Sequence, residues 1–90
     1  MHNSLSKDKS YFLGYQRGHV WAVNHADYID LRQLSEYNIE DFSETHLPKD
    51  EEMYFRYINR NNELDSDNYL SGWLDAVKEA RKKHAHHLSL

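Results

Sequence analysis

Two segments of this chain, 11–23 and 69–80, carry a small residue at every fourth position and have the spacing of helices. They match at a constant offset of 58 residues, so that Tyr11, Gly14 and Tyr15 correspond to Tyr69, Gly72 and Trp73. A glycine inside a helix costs about 1 kcal/mol relative to alanine. Its use here, in a chain with only three glycines, predicts that a second backbone approaches closely.

Positions i, i+4 and i+8 of a helix lie along one ridge. We therefore expect the first and last helices to pack small ridge against small ridge, with Tyr15 and Trp73 beside the seam. The predicted seam residues are Gly14, Gly18, Ala22, Gly72, Ala76 and Ala80. Two alternatives are that each ridge accommodates an aromatic ring, or that one ridge faces a second copy of the chain in a homodimer.

The first helix is expected to run to about Asn24, with Asp8 or Ser10 as its N-cap. Its residues are apolar nearly all round, and Arg17 is its only charged residue after Ser10. A helix of this kind is typically buried on most sides. The sequence therefore places it in the middle of the fold.

A second helix is predicted after the capping residue Asp27, ending near Tyr37. Pro48 and the three acidic residues after it favour the first turn of a third helix. This helix would continue through 53–59, although the strand-forming residues there leave a short strand as the alternative.

The last helix is expected from Asn68 to about His84, capped by Ser66 or Asp67. Together these elements predict a mainly α fold: a small domain of three to four helices with the first and last closely packed. The alternative is an α+β fold with a short strand near 53–59.

Length and composition predict a single domain over 1–90 with flexible ends at 1–9 and 86–90. The chain has no cysteine, no apolar run of membrane-spanning length and no apolar signal segment near its start. We therefore expect a cytoplasmic protein that does not enter a membrane.

The net charge of −4 is concentrated in the middle of the chain. Residues 27–67 hold twelve acidic against four basic side chains, a balance of −8. Binding to nucleic acid depends on cations that neutralise phosphates, so direct binding of nucleic acid is not expected. A protein partner with a basic surface fits this distribution better.

Histidines and aspartates are the candidate ligands for a metal. His84, His86 and His87 lie close together, but no carboxylate or thiolate accompanies them. Asp65 and Asp67 have the spacing of a calcium loop, but the glycine and glutamate that such a loop requires further on are missing. We expect no metal and no cofactor.

The catalytic patterns are also missing from the sequence. His19 and His25 are six residues apart and do not share a helix face. There is no nucleophile elbow, phosphate loop or dinucleotide fingerprint. The sequence therefore predicts a protein that is not an enzyme and has no catalytic residues.

The surplus of large aromatic residues favours a protein–protein interaction module, with self-association as one form of it. The candidate partner surface is Tyr37, Glu40, Asp41, Glu44, Asp50, Glu51, Glu52, Tyr54 and Tyr57. One alternative is an acidic inhibitor that mimics nucleic acid in the basic groove of another protein. Another is a binder of a small ligand or metal.

Overall fold

The protein is a bundle of four α-helices, described from a computed structural model that covers residues 6–61 and 63–88, with side chains to Lys83. The helices are α1 (Lys7–Asn24), α2 (Tyr28–Ser35), α3 (Lys49–Ile58) and α4 (Ser66–Leu88). Two short 3-10 helices, Ile39–Asp41 and Glu44–His46, lie between α2 and α3. No strand occurs in the described part, so the mainly α prediction is confirmed and the strand near 53–59 is wrong.

The N-cap of α1 is Ser6, two to four residues before the caps that the sequence predicts. The Ser6 hydroxyl accepts the backbone N–H of Lys9 at 3.2 Å, so the choice of Asp8 or Ser10 is wrong. Ser10 is instead fully buried, and its hydroxyl accepts the backbone N–H of Asp65 at 2.9 Å. This contact attaches the start of α4 to α1. Of the ends expected to be flexible, residues 1–5, 89 and 90 lie outside the described residues.

The start of α4 also differs from the prediction, whereas the start of α2 agrees with it. Asp65, not Ser66 or Asp67, caps α4 by accepting the backbone N–H of Asn68 at 3.1 Å. Asp27 caps α2 as expected, because its carboxylate accepts the backbone N–H of Asp30 at 2.8 Å.

Helices α1 and α4 lie side by side, run in the same direction and pack closely, as predicted. Gly14 faces the backbone of Tyr69, and Gly18 faces the backbone of Trp73 one turn further along both helices. A Cβ atom at position 18 would lie 2.5 Å from the Trp73 carbonyl oxygen, and at position 14 there is even less space. Only glycine allows the two backbones to approach this closely.

The third glycine makes the reciprocal contact. Gly72 of α4 lies against the carbonyl oxygen of Tyr11 and the amide of Tyr15. In the 58-residue match, Gly14 corresponds to Gly72 and Tyr69 corresponds to Tyr11. The Gly72–Tyr11 contact is therefore the equivalent of the Gly14–Tyr69 contact with the two helices exchanged. The pair therefore has approximate two-fold symmetry. Each of the three glycines is therefore covered by the backbone of the other helix of the same chain.

Hydrogen bonds between side chains tie one edge of this helix pair. The Tyr11 hydroxyl donates to Asp75 Oδ2 at 2.6 Å, and the Tyr15 hydroxyl donates to Glu79 one turn further along. Tyr15 thus lies at the edge of the seam. Trp73, also expected beside the seam, is fully buried. Its ring packs against Trp21 and Phe42, with centroids 5.2 and 5.9 Å away.

Helix α4, rather than α1, is the central element. Tyr69, Trp73, Leu74, Ala76 and Val77 are at most 1% exposed. On α1 the buried side is the glycine seam with Trp21 and Ala22, whereas the opposite side is open to solvent. The expectation of an α1 buried on most sides is therefore wrong, because a seam between two backbones covers only a narrow strip of the helix.

We expect Gly14→Ala to lower the free energy of unfolding by at least about 2 kcal/mol, although alanine is the better helix former. The new methyl group would force the Tyr69 backbone away. Gln16→Ala, on the exposed side of the same helix, is the matched control and should change stability by less than about 0.5 kcal/mol. Urea unfolding measures both; equal stability of the two variants would contradict close packing.

The Tyr11–Asp75 hydrogen bond predicts a loss of stability at high pH. This bond, with burial and the nearby carboxylates, raises the pKa of Tyr11 to about 12 from the ordinary value of 10.0. Its contribution is complete below pH 10 and is lost as the pH rises towards about 12. Wild type should therefore be more stable than Tyr11→Phe at pH 9, and the difference should vanish by about pH 12 in urea titrations. A constant difference would contradict this assignment.

Candidate protein interface

The candidate partner surface predicted from the sequence is only partly exposed. The inclusion of Glu51 in that surface is wrong, because this residue is 3% exposed and lies in the core. Tyr37 is half-buried and packs on His46 and Phe42, with ring centroids 4.6 and 5.6 Å away. Both residues therefore support the fold and contribute little to an outer surface.

The other acidic residues of that surface fall into two groups. Glu44 and Glu52 are half-buried and both contact Arg56, at 3.3 and 3.1 Å. The exposed ones are Glu40, Asp41 and Asp50. The accessible negative charge is therefore smaller than the sequence indicates, since part of it is buried or paired with arginine.

Tyr54 and Tyr57 of α3 are exposed, and each lies under a guanidinium group. Arg17 lies 4.1 Å from the Tyr54 ring centroid, and Arg60 lies 5.0 Å from that of Tyr57. Tyr57 is 63% exposed and Tyr54 is 37% exposed. Aromatic rings covered by cations in this way form a surface that is mixed in charge and polarity.

Glu51 joins three helices. Its Oε1 accepts the Trp73 indole N–H of α4 at 3.1 Å, and both its oxygens accept from Arg17 Nε of α1 at 3.1 Å. A buried carboxylate is stable only when it is paired and hydrogen-bonded in this way. The sequence did not indicate it, because an acidic residue in the first turn of a helix is normally solvated.

The Tyr69 hydroxyl lies in the same region, and it is buried without a hydrogen-bond partner among the described residues. Burial, reinforced by the charge of Glu51, raises the pKa of this phenol. Tyr69 therefore remains neutral over the physiological range. The Glu51 carboxylate accepts hydrogen bonds from α1 and α4, so this cluster holds the three helices together.

Apolar side chains of α1 that face the solvent lie opposite the glycine seam. At 100° per residue, Phe12, Leu13, Gln16, Val20 and Val23 project from the side facing away from Gly14 and Gly18; we call them the outer face. All five are exposed, Phe12 by 59% and Val23 by 63%. From the sequence these apolar residues were expected inside the fold. The glycines were the available signal, because they restrict the buried side to a strip.

No potential metal centre is formed by the described residues: no three histidine, aspartate or glutamate side chains converge there. His19 and His25 are both exposed, so neither is a core histidine. The side chains of His84, His86 and His87 lie outside those that are described. Of the helices in 6–61 and 63–88, none has the length and hydrophobicity needed to cross a membrane.

The role assigned to Glu51 predicts a large effect of its removal. Glu51→Ala would leave the Trp73 indole N–H without an acceptor and Arg17 without its counter-ion. We expect the free energy of unfolding to fall by about 3 kcal/mol. Glu52→Ala, next in the chain and half-buried with its carboxylate on the exposed Arg56, should cost less than about 1 kcal/mol. Urea unfolding followed by tryptophan fluorescence compares the two; similar losses would contradict the assignment.

Comparison of the chain with protein-family models, with curated proteins and with solved structures gave no match. Inference about function therefore depends on the chain's own residues and their geometry.

Proposed function

We propose that this chain is a protein–protein interaction module that binds its partner through the outer face of α1. The observation that supports this proposal is a row of large apolar side chains on the solvent side of a helix. Phe12 and Val23 are each more than half exposed, and Leu13 and Val20 lie between them. Single apolar residues are normal on a surface, but four large ones on one helix face, here interrupted by Gln16, are typical of an interaction site.

The dimensions of the outer face suit contact with a helix or a shallow groove. Phe12 and Val23 are eleven residues apart, which corresponds to about 16 Å along a helix. Covering the apolar side chains between them would remove hydrophobic area from water at about 25 cal/mol per Å². The face is thus long enough for a specific contact of moderate strength.

The outer face is also held rigidly, which lowers the entropic cost of binding. The close approach of Gly14 and Gly18 to α4 fixes the opposite side of α1. Arg17 ties the helix to Glu51 of α3, and Tyr11 ties it to Asp75 of α4. A partner would therefore meet a preformed surface.

The acidic surface gives weaker support to nucleic-acid mimicry. Such an inhibitor needs a continuous band of accessible carboxylates. Here Glu51 is buried, and Glu44 and Glu52 both contact Arg56. These contacts favour the outer face of α1 over the acidic band as the binding surface.

A photo-cross-linking amino acid placed at Val20 tests the proposal in the cell that makes the protein. We expect a protein adduct at Val20 and none at Arg32, an exposed control position on α2. Val20→Glu should weaken the affinity of the purified protein for the cross-linked partner at least tenfold, because it would place a carboxylate in an apolar contact. Its melting temperature should stay within about 2 °C of wild type, since Val20 is exposed. Adducts at Arg32 alone, or at neither position, would contradict the proposal.

A further inference from the structure

We infer that the partner on the outer face is a second copy of this chain, with the two α1 helices packed antiparallel. This inference rests on the proposed function and goes further by naming the partner and its orientation. Three features carry it: the absence of charge on the outer face, the spacing of its residues, and the opposite charges of Lys9 at the start of α1 and Asp27 just beyond its end.

The outer face is uncharged. From Ser10 to Ala26 the only Lys, Arg, Asp or Glu is Arg17, and its guanidinium is engaged with Glu51 and Tyr54. A partner selected by charge would therefore find nothing to pair with along the middle of this helix. Two copies can meet here without like-charge repulsion, even though each carries a net charge of −4.

The spacing along the outer face is that of a two-helix seam. Leu13, Gln16, Val20 and Val23 are separated alternately by three and four residues, which is the pattern of positions that face a partner helix in a coiled coil. Phe12 lies beside this row and widens it. When two helices with this spacing pack together, each residue of the row on one helix lies against the row on the other.

The charges at the two ends favour the antiparallel orientation. The same alternation reaches Lys9 at the start of α1, whereas Asp27, which caps α2, lies three residues beyond the end of α1. Antiparallel packing brings Lys9 of each copy to the end of the pair at which Asp27 of the other copy lies, whereas parallel packing brings like charges to the same end. Asp27 uses Oδ1 to cap α2, which leaves Oδ2 for the lysine.

The helix dipole favours the same orientation. Helix α1 has an acidic residue, Asp8, in its first turn and no basic residue in its last turn. The partial negative charge at its C-terminus therefore has no cation of its own. In the antiparallel pair, Lys9 of the second copy supplies that cation at each end.

The antiparallel register also defines the contacts in the middle. Leu13 of one copy would face Val23 of the other, and Gln16 would face Val20. One polar residue in such a seam costs stability but fixes the register. Because each copy contributes a single helix, the buried area of this interface is at the low end of the range for specific protein–protein interfaces. We therefore expect a reversible dimer with a dissociation constant of about 10–100 μM.

Sedimentation equilibrium on the purified chain tests self-association. Wild type should show a monomer–dimer equilibrium in that concentration range, and Val20→Glu should weaken it at least tenfold. Lys9→Glu should weaken it about threefold to tenfold, because it places two acids together at each end. A chain that stays monomeric at concentrations well above this range would overturn the inference.

Disulfide cross-linking tests the orientation, since the chain has no cysteine of its own. Oxidation of an equimolar mixture of Leu13→Cys and Val23→Cys should give the mixed dimer in large excess over dimers of either variant alone. A mixture of Leu13→Cys and the control Arg32→Cys should give little product. Dimers formed mainly within each variant would indicate parallel packing and overturn the inference.

Failure of this inference can be distinguished from failure of the proposed function. Mass spectrometry of the Val20 photo-adduct identifies what was captured. An adduct with a different protein, together with a monomeric purified chain, would overturn self-association and keep the interaction module. The absence of any adduct at Val20, together with a monomeric chain, would overturn both.

Discussion

The direct approach of the α1 and α4 backbones determines the rest of this fold. Each glycine in the seam weakens its own helix by about 1 kcal/mol, and close dispersion contacts between the two helices offset that loss. Because the two helices run parallel, the chain must return from the end of α1 to the start of α4. The segment between them, with α2, the 3-10 helices and α3, packs around α4 as it returns. Helix α4 becomes the centre of the core for this reason, and α1 becomes an outer helix.

Glu51 secures this arrangement from the other side. A carboxylate in the core is costly unless its hydrogen bonds are complete, and here the donors come from Trp73 of α4 and Arg17 of α1. The short helix α3 is thereby held to both members of the parallel pair. Arg17 also lies over the Tyr54 ring. One side chain therefore donates to the buried Glu51 carboxylate and packs on an aromatic ring at the surface. This accounts for the single charge in the middle of α1.

Much of the fold could be predicted from local chemistry, because turn residues, glycine spacing and the proline before α3 act over a few residues, although the caps of α1 and α4 lie a few residues from the predicted ones. Asp27 and the glycine seam are examples. Residues whose role depends on distant partners could not be predicted. Glu51 is buried because Trp73 and Arg17 reach it from other helices, and Ser10 is buried because the start of α4 lies against it. The apolar character of α1 was misleading, since it was attributed to the core when a narrow seam leaves half of the helix uncovered.

The glycine seam and the outer face are two consequences of one constraint. A helix that touches its neighbour backbone to backbone has its apolar side chains on the far side, where none of the described residues forms a further layer over them. Leucine and valine remain there although the same helix could carry polar residues at little cost to the fold, since these positions contribute little to the core. The stability of the folded chain therefore gives little reason for the apolar outer face, and the proposed contact with a second surface would give one. The second copy that we propose would bring an uncharged surface of matching period, with its Lys9 at the end where Asp27 of the first copy lies.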